Sequence, residues 1–283
     1  MLKKYLIVSV ALLVLVMTGG CGPAAEKSLS AFCAASSQAA MEPAARAFAA
    51  ETGIEVLLNT GSSGQLLSQL ELSQEGDLYF PASPEYLAAA TDSNIVSPDT
   101  AVRINYLIPA ILVQEGNPRG IKTLSDLSRP GLELAICDPQ TVPAGLYAYE
   151  LLEYNRVLEQ VGKNIITYSE NNERLSGLVI LKAVDAAIAW DIAAIQQPDK
   201  LDAVYFRPDQ VPRLSYMSGA VTTFSHDRES ARKFLDFLVS ERGRAIFKEH
   251  GYITTEAEAR QFAPGARIGG EYKLPVDYQP LVQ

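Results

Sequence analysis

Two serine pairs, Ser36-Ser37 and Ser62-Ser63, each end an apolar strand-like run and open a helix-like one. A helix start offers N–H groups without partners and the positive end of the helix dipole, so such a junction favours a bound anion, and a serine hydroxyl adds a donor. In Gly61-Ser62-Ser63-Gly64 the glycines also let backbone approach a ligand closely. Serine equally caps helices, so Ser36, Ser37, Ser62 and Ser63 each keep a plain capping role as the alternative. Two more junctions carry donors. Asp138 to Gly145 presents N–H groups near Ala144, and Glu170-Asn171-Asn172-Glu173 presents those near Asn172. The acids around Asn172 argue against a purely electrostatic trap.

Neutral donors suffice for a small oxyanion, because each charge-assisted hydrogen bond is worth roughly 1.5–3 kcal/mol and several together offset desolvation. Other chemistries fit the residues poorly. Gly61-Ser62-Ser63-Gly64-Gln65 is out of register with the nucleophile elbow Gly-x-Ser-x-Gly, and the two histidines, His226 and His250, fall in helical stretches near the carboxy end. The chain therefore reads as a binding protein and not an enzyme, with no cofactor and no metal-ligand spacing. A formal charge of -9 disfavours nucleic acid as a partner.

The elements that must position these loops alternate short apolar runs with amphipathic stretches, the pattern of an α/β protein with mainly parallel sheets flanked by helices. Strands are predicted at 29–34, 54–59, 77–80, 104–113, 133–137, 165–168, 186–190 and 214–223. Helices fall between them, and two more follow at 227–240 and 241–250. The order reads as two lobes: residues 29–108 begin the first, 109–212 form the second, and 213–283 return to the first and end in an extended tail. Two crossing strands make a hinge, and the carboxyl ends of the parallel strands face the cleft, where ligands bind in such sheets.

At the amino terminus Lys3 and Lys4 precede an uncharged run from Tyr5 to Met17 and the small residues Thr18, Gly19 and Gly20. Residues 1–20 read as a signal peptide, the apolar run being shorter than the roughly 20 residues of a spanning helix. Thr18-Gly19-Gly20-Cys21 resembles a bacterial lipobox, although Thr18 stands where leucine is usual. The resemblance implies an exported protein lipidated at Cys21, tethered by residues 21–28 and held at a membrane through that lipid alone. Cys33 and Cys137 lie in separate apolar runs and read as buried thiols, with pairing the alternative.

Several segments together resemble the bacterial periplasmic molybdate-binding proteins: Ala34 to Ser37, Gly61 to Gly64, Gly76 to Phe80, Asp138-Pro139 through Pro143-Ala144-Gly145-Leu146-Tyr147-Ala148, and Ile246 to Tyr252. The likeness covers nearly the whole mature chain, the Asp-Pro to Pro-Ala-Gly segment being its most specific part. It implies a two-lobe type II periplasmic-binding fold and a monomer that captures molybdate or tungstate for an ABC permease and ATPase. It also implies hydroxyl donors at Ser36 and Ser63 and backbone donors at Ala144 and near Asn172. The family's usual fifth contact is a tyrosine, and here that position is Trp190, with Asp191 after it. An indole N–H can donate, or Trp190 can be simple core. Asp191 would repel a dianion, so it points away, caps the next helix or serves another ligand. Ser83 replaces a frequent aspartate. These departures keep sulfate, phosphate or a small organic acid open as ligand, and a sensor as an alternative role.

Overall fold

A computed structural model describes residues 27–282. The expected signal peptide and the expected lipidation site Cys21 lie outside those residues. Within them the first lobe opens with β1 (Lys27–Ala34), α1 (Gln38–Thr52), β2 (Ile54–Gly61), α2 (Ser63–Ser73), β3 (Leu78–Phe80), α3 (Pro84–Asp92) and β4 (Val102–Leu107). The second comprises β5 (Pro109–Gln114), β6 (Leu134–Cys137), α4 (Pro143–Tyr154), α5 (Leu158–Gly162), β7 (Ile165–Ser169), α6 (Asn172–Ile180), β8 (Ala186–Trp190), α7 (Ile192–Gln196) and β9 (Leu201–Tyr205). The chain then returns through β10 (Arg213–Val221), α8 (Arg228–Val239), α9 (Glu241–Glu249), α10 (Glu256–Ala259) and β11 (Arg267–Ile268).

The first sheet runs β11-β10-β3-β1-β2 with β4 also on β10, and the second runs β7-β6-β8-β5-β9. Parallel pairing holds where the candidate loops emerge: β1 with β2 and β3, β6 with β7 and β8. The remaining pairs make both sheets mixed, since β10 is antiparallel to β3 and β4 while β5 is antiparallel to β8 and β9.

The apolar run 104–113, read as one strand, is two. Leu107 pairs with Ser215 in the first sheet and Pro109 with Trp190 in the second, leaving Ile108 between them. Proline lacks the ladder N–H and is tolerated as the first residue of a strand, which suits a break here. The second crossing lies between Tyr205 and Arg213. Aromatic packing anchors the first lobe's core, with the Phe48 and Phe234 rings 5.0 Å apart and Phe80 edge-on to Phe234 at 6.1 Å.

Other differences have local causes. β1 begins at Lys27, inside the stretch read as tether, because it pairs along its whole length with β2. The short α5 and α7, of five residues each, and β9, whose apolar run is interrupted by Asp202, are absent from the pattern reading. The tail does not simply complete the first lobe. β11 extends the first sheet, but Leu281 N–H then donates to Tyr168 Oη (2.8 Å) and Tyr278 meets the same hydroxyl (3.2 Å), so the end lies on the second lobe. Cys33 and Cys137 are buried and free, and burial pushes both thiols up from their ordinary pKa. No helix among the described residues is long and apolar enough to cross a membrane.

Candidate functional site

The candidate residues follow the carboxyl ends of β1, β2, β6, β7 and β8, in the junctions to the next helices or, for Trp190, at the strand's last position. After β1 a short 3-10 turn, Ala35–Ser37, leads into α1. Ser36 Oγ is buried there without a hydrogen-bond partner in the protein. Ser37, also buried, turns into its own lobe, 3.5 Å from Asn105 Oδ1.

The second pair divides in the same way. Ser62 caps α2: its Oγ accepts from Gln65 N–H (3.3 Å), and the Gln65 side chain reaches back to Ser62 N–H (3.4 Å). Ser63, 1% exposed, opens the helix; its Oγ accepts from Ala82 N–H (3.0 Å), and its carbonyl accepts from Tyr79 Oη (2.8 Å). Those bonds fix the side chain and leave its one proton to donate. Of the four serines only Ser37 donates within lobe 1; Ser62 and Ser63 accept there and keep a hydroxyl proton, and Ser36 Oγ is unengaged.

On the second lobe, α4 starts after Val142, which has no side chain able to cap it, and with Pro143, which has no N–H. Ala144 is therefore the first residue of α4 with an N–H, in the turn that no carbonyl of the helix reaches. α6 starts at Asn172. Asn171 caps it by accepting from Arg174 N–H (2.8 Å), and Asn172 Oδ1 is buried without a partner.

Trp190 ends β8 at 1% exposure, packed edge-on to Tyr147 of α4 with ring centroids 5.3 Å apart. It is core by burial, yet its indole Nε1–H has no partner in the protein. Leaving a buried donor unpaired costs about 1–3 kcal/mol, so such an atom asks for an acceptor from outside the chain. Asp191 points away from this group: its Oδ2 accepts from Tyr205 Oη (3.1 Å). Burial pushes its carboxyl up to about 7, against the lowering effect of that bond and of nearby backbone N–H groups.

The lobes are shut on each other. Tyr86 Oη on α3 donates to Gln140 O (3.3 Å), Gln196 on α7 donates to Tyr252 Oη (3.1 Å), and buried Arg213 is paired with Glu85 on lobe 1 and Glu150 on lobe 2. Ser36 and Asn172 line one cavity of about 400 Å³, whose wall does not include Ser63, Ala144 or Trp190. Its wall also holds Gln38, Glu42, Glu173 and Gln196, and none of its described lining residues is cationic. Among the described residues no cluster of three or more His, Cys, Asp or Glu could hold a metal ion.

Sequence reasoning noted Ser83 only as a departure from a pattern. It is 0% exposed, stands at the start of α3 without capping it, and its Oγ has no partner. The signal was available in the proline that follows, which marks Ser83 as a helix start like the other four loops.

Comparison with known proteins agrees with this architecture. Residues 29–253 match the family model of the bacterial extracellular solute-binding proteins. The molybdate-binding protein ModA of Escherichia coli is 26% identical over 234 residues, covering 80% of this chain and 89% of that one. Among solved structures, the periplasmic molybdate-binding protein of Azotobacter vinelandii aligns with a TM-score of 0.69 at 19% identity, covering 81% of this chain and all of that one. The sulfate-binding protein SubI of Mycobacterium tuberculosis aligns at 0.75 and 16% identity, covering 86% and 94%. At such identities the structural matches speak for the fold alone.

Proposed function

We propose that this chain, which belongs to the bacterial extracellular solute-binding proteins, captures a tetrahedral oxyanion, molybdate or tungstate first, and presents it to an ABC permease and its ATPase. One observation carries the reading. Buried hydrogen-bonding atoms on strand-to-helix junctions of both lobes, Ser36 Oγ and Trp190 Nε1 foremost, have no partner in the protein. We take them, with the Ser63 hydroxyl and the first-turn N–H groups at Ala144 and Asn172, as a neutral donor set for one dianion. The relatives named for molybdate match 80% and 81% of this chain, and the solved one shares its fold.

Trp190 is the single tryptophan, so its fluorescence reports on the site directly. Titration with molybdate, tungstate, sulfate and phosphate, followed by fluorescence and calorimetry, tests the reading. Saturable one-to-one binding led by molybdate or tungstate supports it; no binding of any of the four overturns it.

A second reading is favoured by the cavity beside Ser36 and Asn172, whose amide and carboxylate lining suits a hydroxylated or amine-bearing substituent. There the ligand would be a small organic acid or ester with the same kind of oxyanion head. Binding of such esters in preference to the inorganic anions would select it. Export with a lipid at Cys21 belongs to the same proposal, supported by the lipobox-like Thr18-Gly19-Gly20-Cys21. Incorporation of labelled palmitate that disappears in Cys21→Ala supports it, and undiminished labelling overturns it.

A further inference from the structure

Tyr252 follows α9 on the first lobe and is 4% exposed, its ring packed edge-on to Phe247 with centroids 5.5 Å apart. Its hydroxyl donates to the carbonyl of Ser36 (2.8 Å) and accepts from Gln196 Nε2 on α7 of the second lobe (3.1 Å). The neighbouring Gly251 has φ +83°, and a methyl there would come within 2.4 Å of Ile195 Cγ2, so this turn receives α7 only because Gly251 lacks a side chain. Lobe 1 thus offers a fitted seat for α7, and that seat grips the turn carrying Ser36.

We infer that Tyr252 is a positioning residue that couples lobe closure to the anion site, its hydroxyl fixing the Ser36 turn while receiving Gln196. A phenol has one proton. Given to Ser36 O, it leaves only lone pairs toward Gln196, and the amide N–H arriving on closure polarises the hydroxyl and strengthens its hold on Ser36. Opening removes the Gln196 donor and loosens that hold. Retention of ligand, not its first encounter, is the step this contact governs. The inference rests on the oxyanion reading for its ligand and on the Gln196–Tyr252–Ser36 geometry for its mechanism.

The test uses Tyr252→Phe, which keeps the ring packing, together with Gln196→Ala and the double variant. Stopped-flow Trp190 fluorescence with molybdate, tungstate and sulfate as probes separates association from dissociation. Each single variant should release the bound anion about five- to tenfold faster with association little changed, as loss of one hydrogen bond implies, and the double variant should be no faster than the worse single one. Wild-type release from Tyr252→Phe, or single effects that multiply in the double variant, would overturn the inference. If the wild-type protein takes up none of the three anions and no phosphate, the oxyanion reading fails, and small-angle scattering of the ligand-free proteins then decides this one. A larger radius of gyration in both single variants than in wild type supports the coupling, and equal radii overturn it.

Discussion

Gly64 of α2 faces Thr141 of the opposite lobe so closely that a methyl on Gly64 would sit 2.9 Å from Thr141 O. The obstacle is backbone on a loop stiffened by Pro139 and Pro143, not the end of a flexible side chain. Gly64→Ala should therefore hold the cleft ajar. The same change replaces glycine near a helix start, worth up to about 1 kcal/mol of added helix stability. The expected result is divided: ligand-free protein melting at the same or a slightly higher temperature, and anion affinity reduced about tenfold. Equal affinity by calorimetry would show that the two loops do not need to meet.

Removing the Ser36 hydroxyl is the cleaner test of the donor set. Ser36 Oγ has no partner in the protein, so Ser36→Ala sacrifices no internal bond, whereas Ser63→Ala would strand the buried N–H of Ala82. Ser36→Ala should weaken anion binding about 10- to 100-fold, the value of a hydrogen bond to a charged group, with the melting temperature unchanged. Ser63→Ala should lower both. A Ser36→Ala protein with wild-type affinity would remove that hydroxyl from the site.

Why some of this was legible in sequence and some was not follows from range. Helix starts at Ser63, Pro143 and Asn172 are written in neighbouring residues, because capping and proline placement act over three or four positions. How the serines turn is not local, apart from Ser62 with its cap at Gln65. Ser37 is decided by Asn105 and Ser63's orientation by Ala82, residues 68 and 19 positions away. The direction of Asp191 was open for the same reason, since its partner Tyr205 lies on β9, where Asp202 interrupts the apolar run. Closure contacts such as Gln196 with Tyr252 join residues 56 positions apart and leave no periodic trace.

Asp191 gives the fold a pH dependence of unusual sign for a carboxylate. Burial raises its carboxyl from an ordinary 3.8 to about 7, so between those values the folded protein binds a proton that the unfolded chain has released. Its contribution is fully present below about pH 4 and is lost as pH rises toward 7, by at most about 4 kcal/mol at 1.36 kcal/mol per pH unit. Asp191→Asn keeps an acceptor for Tyr205 and carries no charge. Melting temperatures measured from pH 4 to 8 should show the variant gaining on wild type as pH rises. Parallel curves would mean that Asp191 is ionised throughout.

Arg213 poses the opposite problem, a buried cation whose removal strands two acids. Its side chain is fully buried at the start of β10, stacked 3.9 Å from the Tyr147 ring centroid and paired with Glu85 of α3 and Glu150 of α4, while Gly270 O accepts from Nη1 (2.7 Å). Arg267 reaches Glu150 from the surface (3.2 Å) but is itself 62% exposed and cannot replace it. Arg213→Met keeps most of the packing and should cost about 3–5 kcal/mol at neutral pH, because breaking a buried pair leaves uncompensated charge. The Glu150 carboxyl, already pushed up by burial and now without Arg213, would take up a proton in the folded state more readily than when unfolded, so the variant's deficit should shrink on acidification from pH 8 to 5. Adding Glu150→Gln to Arg213→Met should recover part of the loss at pH 8 and little at pH 5. A deficit that stays constant with pH would place the cost in lost packing against Tyr147 and not in the two acids.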